Sequence, residues 1–591
     1  MKKSTLLLLF LFFIYLLTGC SQRPKLTVDE LESHVRFLSS DSLKGREPGT
    51  PGDSIAAHYI KQNIAGKNVQ FMGDHGFQTF EIVKSLELGE KNAASFNGNA
   101  VKLNQDYAPF SFSENGQVNA PVVFVGYGFD INSDSLAWND YENIDAQGKW
   151  AMILRGDPEL ENADSPFAPY STLRKKVFVA KDHGAAGVIF ISGPAFDDSD
   201  ELPELIINDS HITVGVPVLQ LKREHANLLL AAQNVTVDSL EMLLNSRKEP
   251  QSRELEAKFH ASVNKKKIKK RTYNVIAMVS GGDPALNDEF IVLGAHYDHL
   301  GLGGPGTSTR RPDTLAVHNG ADDNASGVTT IIELFEKLAA KQKQLRRSVL
   351  FIAFGAEEMG TLGSKYFVDN PLVELPHIKF MFNFDMVGRL SGSSLTLYGT
   401  GTAKDVEALL KDYAEAHNLE LTLSQEGLGP SDHAPFYAAD IPVLMFFTGL
   451  HQDYHTPDDD PDKLNYAGQK RVADFAYDVI LDIANRNEAM VFQQAGPQER
   501  YTSRRKFKVT LGIMPDVAGI EKRGLRVDAV SPDRPADHAG MKKGDIIVAM
   551  DGKPVKDVYE YMHRLSDFQV GQRISVEVLR DGERKILIVE L

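Results

Sequence analysis

The hydrophobic pattern changes its period several times along the chain, and each change marks a different kind of unit. Residues 27–64 carry apolar side chains at helical spacing, interrupted at 45–52 where Gly and Pro cluster, which predicts two helices around a turn. Between about 119 and 237 the runs shorten to β-like stretches at 121–127, 150–154, 187–192 and 216–221, with one helical stretch at 175–183. From 273 to about 487, unbroken apolar runs at 290–294, 349–354, 380–384 and 443–447 alternate with helical patterns such as 328–340. Strands that are apolar throughout are buried on both faces, so this segment is expected to be α/β, a mainly parallel sheet covered by helices. Past 506, short strands with Gly and Pro turns return and predict a small β-sandwich or barrel. The expected layout is a leader at 1–20, a first part of the α/β domain at 21–115, a β-rich insert at 116–245, a charged linker at 246–272, the α/β domain proper at 273–490 and a terminal β domain at 506–591.

Composition narrows the class. A length of 591 residues requires several cores, and 42% hydrophobic with 9% aromatic content supports them. A net charge of −16 excludes nucleic acid as the main partner, and the basic run at 265–271 reads as solvated linker. Lys2 and Lys3 precede an apolar stretch at 6–17 and then Thr18, Gly19 and Cys20, the layout of a secretory leader too short to span a bilayer. Cys20 is the one cysteine of the chain, so no internal disulfide can form and a lipid attachment point is the better account of it. Leu17-Thr18-Gly19-Cys20 resembles the bacterial lipobox, which implies an extracytoplasmic protein tethered to a membrane of the cell envelope, periplasmic or at the surface, through lipid on Cys20.

Each buried strand is followed at once by polar residues, and in open α/β sheets ligands bind beyond the carboxyl ends of the strands. His296 and Asp298 follow the first, where an extended chain puts them on one side and lets Asp298 orient the imidazole. Asp322 and Asp323 precede the helix at 328–340, a place where acids usually act as caps. Glu357 and Glu358 end the second strand; extended neighbours face opposite ways, so one can bind metal while the other does acid–base work. Asp385 closes the third strand, and Tyr454 and His455 follow the fourth. So many carboxylates at one edge are costly without cations. Mixed His and carboxylate donors suit zinc, and surplus carboxylate suits two ions, which together clamp a carbonyl and its attacking water.

At these residues the chain resembles the M28 family of zinc peptidases. The resemblance implies one zinc held by His296 and Asp385, a second by Glu358 and His455, and Asp323 bridging, since Asp323 rather than Asp322 stands three residues before Ser326-Gly327. It implies Glu357 as general base, Asp298 as the partner behind the metal ligands and Tyr454 as a phenol that polarises the scissile carbonyl. The implied activity is that of an exopeptidase, an aminopeptidase cleaving the N-terminal bond of peptides by a water held between two zinc ions. Two rivals are glutaminyl cyclisation with a single zinc and a peptide-binding scaffold without catalysis. His433, within the family-like 431–436, is expected to be a hydrogen-bonded structural histidine outside the metal shell. The insert resembles the protease-associated (PA) domain through 148–156 and 180–190, and 524–555 resembles a PDZ domain. In such domains a loop, here Leu511-Gly512-Ile513-Met514, captures the carboxylate of a peptide C-terminus, though this loop departs from the commoner glycine-leucine-glycine-phenylalanine form.

Overall fold

The computed structural model describes residues 26–591 except 134–135, 163, 207–211, 496–508, 517–520 and 532, so the leader and Cys20 lie outside the described residues. Two compact units emerge: Met1–Phe80 with Thr272–Gly303 and Ser308–Glu499, and Glu81–Arg271 with Gly304–Thr307 and Arg500–Leu591.

The first unit is the α/β one. The predicted apolar runs form its central strands, Ser348–Phe354, Phe290–His296, Ile378–Phe384 and Val443–Phe447, which are neighbours in that order and pair in parallel. Every residue of Phe290–His296 and Ser348–Phe354 is buried, as a strand covered on both faces requires. The flanking strands of this sheet join by antiparallel pairing, Lys265–Val279 on one side and Ser394–Tyr398 on the other. The expected helices before the insert are Val28–Leu38 and Pro51–Asn63, capped by the hydroxyls of Thr27 and Thr50, the second opening on proline as a first helical turn allows. They share one apolar core with Gly327–Ala340, Tyr466–Asn485 and the strands.

In the second unit an eight-stranded sheet corrects two expected boundaries. The segment 246–272, read as linker, contains the strand Arg253–Val263, paired with Gly116–Phe124 and Ala93–Phe96. Only alternate residues of it, such as Phe259, Ala261 and Val263, are buried, so its solvated face dominated the composition and hid the strand. The basic run is not a linker either: it belongs to the strand Lys265–Val279, where buried Lys265 donates to the carbonyl of Ser111. Ala93–Phe96, Asn99–Val101 and Tyr107–Pro109, expected within the peptidase part, also pair into this sheet.

The terminal domain has its own sheet, core and helix, Val558–Leu565. Val558, Tyr561 and Leu565 turn into that core at helical spacing, leaving Glu560, His563 and Arg564 for the PA-like helix Leu173–Asp182. Arg564 grips both carboxylate oxygens of Asp182, with 2.8 Å between Nη2 and Oδ1, and Lys181 meets Glu560 at 2.6 Å. The guanidinium of Arg174 lies over the ring of Tyr559, 4.2 Å from its centroid. At the expected peptide-capture loop Gly512 has φ of 75°, and the carbonyls of Leu511 and Gly512 accept from the N–H groups of Ala536 and Ser531. Among the described residues no helix is long and apolar enough to cross a membrane.

Candidate metal centre

Parallel pairing sends the carboxyl ends of the central strands to one edge, and the expected residues meet there. His296 is the last residue of its strand. Its Nε2 lies 3.4 Å from Asp323 Oδ1, 3.6 Å from Asp385 Oδ1 and 4.0 Å from Glu357 Oε2. His455 Nε2 lies 3.1 Å from Asp323 Oδ2 and 3.3 Å from Glu358 Oε2. Asp323 thus presents one oxygen to each imidazole. Asp322 turns away: its Oδ1 accepts from the N–H of Gly388 at 2.7 Å. Tyr454 stacks on His455 with ring centroids 3.8 Å apart.

The loops are held by partners that the chain order conceals. Both N–H groups of Asp322 and Asp323 donate to Asp459 Oδ2, at 2.9 and 3.0 Å, while Asp459 Oδ1 is braced by Arg389 at 2.7 Å. Fully buried Arg46 donates to the carbonyls of Tyr297 and Asn319 at 2.7 Å and Gly320 at 2.9 Å, tying the His296 loop to the Asp323 loop. Gly320 has φ of 56°, and a Cβ there would meet the carbonyl oxygen of Asp323 at 2.3 Å, so glycine is required. Ser431 donates to Asp385 Oδ2 at 2.7 Å and accepts from Asn383. None of Arg46, Asp459, Arg389 or Ser431 was given a role above. The buried Gly45-Arg46 pair in the expected break offered the one readable signal, an arginine in a Gly-rich turn.

Three local expectations change. Glu357 and Glu358 do not lie on an extended strand; they follow Ala356 at φ of 59° in a turn whose Glu357 carbonyl accepts from Gly360 and Thr361. Asp298 reaches His296 Nδ1 through its carbonyl at 3.2 Å, with its carboxylate 3.8 Å away, and that carboxylate instead accepts from the N–H groups of Glu357 and Glu358 at 2.9 and 3.2 Å. It straps the glutamate turn to the histidine loop. His433 is buried, and among the described residues its ring nitrogens have no hydrogen-bond partner. Burial alone lowers it to about 4 and keeps it neutral.

The electrostatics separate the neighbouring glutamates. Burial, reinforced by Asp432, Glu358 and Asp385, raises the Glu357 carboxyl well above the usual range. Glu358 feels burial and Asp323 pushing it up, but His455 and His299 bring it down to about 2. Burial opposes protonation of His455, yet Glu358 and Asp323 raise it to about 11. Burial and the surrounding carboxylates raise the Tyr454 phenol, keeping its proton in place.

The donor set can hold metal. His296, Asp323 and Asp385 bring donor atoms within 4.8 Å of one another, as do His299, Asp323 and Glu358. A tetrahedral zinc with bonds of about 2.0–2.1 Å spaces its donors about 3.3–3.4 Å apart, and the spacings around His296 and His455 fall close to that.

Residues 274–480 match the model of peptidase family M28, residues 104–229 that of the PA domain and residues 506–591 that of a PDZ domain. The chain is similar to aminopeptidase YwaD of Bacillus subtilis (strain 168), 25% identical over 460 residues, spanning 76% of this chain and 83% of that protein. An aminopeptidase of Pseudomonas aeruginosa (strain UCBPP-PA14) is 27% identical over 421 residues, 68% of this chain and 67% of that one. Among solved structures, the aminopeptidase from Aneurinibacillus sp. strain AM-1 aligns over 80% of this chain and 97% of its own at 23% identity and a TM-score of 0.46. With a His and carboxylate centre at the sheet edge of the segment that matches the M28 peptidase model, and segments that match PA and PDZ models on the same chain, this protein is a metallopeptidase.

Proposed function

We propose that the chain is a zinc-dependent aminopeptidase that removes N-terminal residues from peptides, using two zinc ions at His296, Asp323 and Asp385 and at His455, Asp323 and Glu358. The observation that carries the reading is Asp323, whose two oxygens face two different imidazoles at 3.4 and 3.1 Å. The relatives named aminopeptidase support the exopeptidase direction. When bound, zinc acidifies water and polarises a carbonyl. The rest falls to side chains. Glu357, whose proton affinity burial raises, accepts the proton of the attacking water and returns it to the leaving amine. Tyr454 donates from its phenol to the oxygen on which charge develops, and Asp298 keeps the Glu357 turn in place through its N–H groups.

Matched peptides with free and acetylated N-termini test the direction by mass spectrometry. Stepwise shortening of the free peptide alone is expected, and equal trimming of the acetylated one refutes it. Activity lost to a chelator and restored by zinc is expected; activity that survives prolonged chelation removes the metal reading.

The anchoring reading is part of the proposal: lipid on Cys20 holds the protein at an extracytoplasmic membrane face, supported by the apolar leader at 6–17 and the absence of a second cysteine. Release of the Cys20→Ser product from membranes is expected, and its retention without detergent contradicts the lipid. The PDZ domain is proposed to take a peptide C-terminus at 511–514.

A further inference from the structure

His299 has no part in the proposed chemistry, yet its place is closely built. It is buried three residues past the strand Phe290–His296, and its N–H donates to the carbonyl of Arg46 at 3.3 Å. Its ring occupies space that only glycine leaves: a Cβ on Gly320 would meet ring carbon Cδ2 at 2.5 Å. Nδ1 stands 2.8 Å from Glu358 Oε1 and 3.9 Å from Asp323 Oδ2.

Two roles compete for such a ring, ligand or support, and the spacings decide between them. Donors on one tetrahedral zinc lie about 3.3–3.4 Å apart. His455 meets Asp323 and Glu358 at 3.1 and 3.3 Å, as two ligands of a common ion would. His299 does neither: 2.8 Å is the length of a hydrogen bond from N–H to a carboxylate, and 3.9 Å is wider than the spacing of a tetrahedral shell. The two histidines also take different oxygens of Glu358, His299 facing Oε1 and His455 facing Oε2.

We propose that His299 is a positioning residue that donates from Nδ1 to Glu358 Oε1 and so commits Oε2 to the metal. The proposal rests on the reading that Glu358 and His455 hold zinc. The terminal torsion of a glutamate is broad and nearly two-fold, so an unheld Glu358 would exchange its oxygens and pay ordering entropy on binding. A hydrogen bond to one oxygen removes that freedom before the ion arrives. The tautomer follows: the proton is on Nδ1, and Nε2 has no hydrogen-bond partner among the described residues. Partners of this kind typically change metal affinity by about 10- to 100-fold.

The test compares the full chain with its His299→Leu and His299→Asn variants. Zinc content and affinity are measured by competition with a chelator, and the visible spectrum is recorded with cobalt in place of zinc. Asparagine can place an amide N–H where Nδ1 stands, whereas leucine cannot. The parent is expected to hold about two zinc ions. His299→Leu should weaken one of them by about 10- to 100-fold, while His299→Asn keeps both and leaves the cobalt spectrum unchanged. If His299→Asn loses an ion and its cobalt spectrum shifts, His299 is a ligand and the proposal is wrong. If His299→Leu binds both ions as tightly as the parent, the hydrogen bond does nothing and the proposal is equally wrong. Should the leucine variant fail to fold, the asparagine variant decides alone, since retention and loss separate the two roles. A parent that binds no zinc refutes the metal reading itself.

Discussion

Two regions of this molecule gather charge out of water, and they balance it differently. At the contact between the helices Leu173–Asp182 and Val558–Leu565, acids find bases within the chain: Asp182 meets Arg564 and His563, and Glu560 meets Lys181. At the sheet edge, Asp298, Asp323, Glu357, Glu358, Asp385 and Asp432 crowd together with three histidines and one buried arginine, Arg46. Glu358 at the sheet edge is drawn down by its histidines as Asp182 is by its partners, but Glu357 responds the other way. Against the upward push of burial, His563 and Arg564 draw Asp182 below the usual range, whereas Glu357 is driven well above it. A charge cluster that closes on itself is structural. One that leaves acids in excess is arranged for cations from outside.

The largest break in that comparison is expected at Glu357. Glu357→Gln keeps size and reach but cannot take a proton, so kcat should fall by about 10²- to 10⁴-fold with zinc content unchanged. Glu358→Gln should instead lose one ion, because an amide is a poor zinc ligand, and excess zinc should restore part of the rate. Metal analysis beside steady-state kinetics decides, and the reverse pattern exchanges the two roles.

Arg46→Met comes next. It removes the donor shared by the carbonyls of Tyr297, Asn319 and Gly320 and the one buried arginine beside the acids, so unfolding of the peptidase unit should become easier by about 3–5 kcal/mol. Urea titration followed by zinc release reads this, and an unshifted midpoint would show that the loops hold without it.

The self-balanced contact should be more forgiving. Arg564→Met leaves Asp182 without its two-pronged partner and is expected to cost about 2 kcal/mol without changing zinc content, while adding Asp182→Leu should recover most of the loss. A double variant no more stable than the single one would mean that the ion pair is not what the arginine contributes.

The smallest effect concerns pH. The folded pKa of Asp182 lies below its unfolded value of about 3.9, so its contribution is complete above that pH and disappears as the pH falls toward the folded value. Stability below about pH 4 should therefore decline less steeply in Asp182→Asn than in the parent. Equal acid slopes in a calorimetric series would place the acid sensitivity elsewhere.

Reading the sequence located much of this and missed parts of it for identifiable reasons. The strand Val443–Phe447 was legible to the residue because a run buried on both faces has no polar alternation to dilute it. The strand Arg253–Val263 was missed because half of its residues face solvent and its charges resemble a linker. Asp323 and His455 were visible as types, since polar residues just past buried strands must converge. Their supports were not. Arg46 reaches the carbonyl of Asn319 across 273 residues, and Asp459 reaches the N–H of Asp323 across 136.

By itself, then, the amino-acid order determined where the buried central strands lie, that the α/β part is interrupted by an insert, and which residue types collect just past the strand ends. All of these follow from local periodicity and residue type. The tertiary structure alone decided that Asp323 turns one oxygen to His296 and the other to His455, that Asp298 straps the Glu357–Glu358 turn, and that His299 and His455 take different oxygens of one carboxylate. Each of those depends on differences of about 1 Å between groups distant in the chain, and the spacing of residues along a sequence carries no information at that scale.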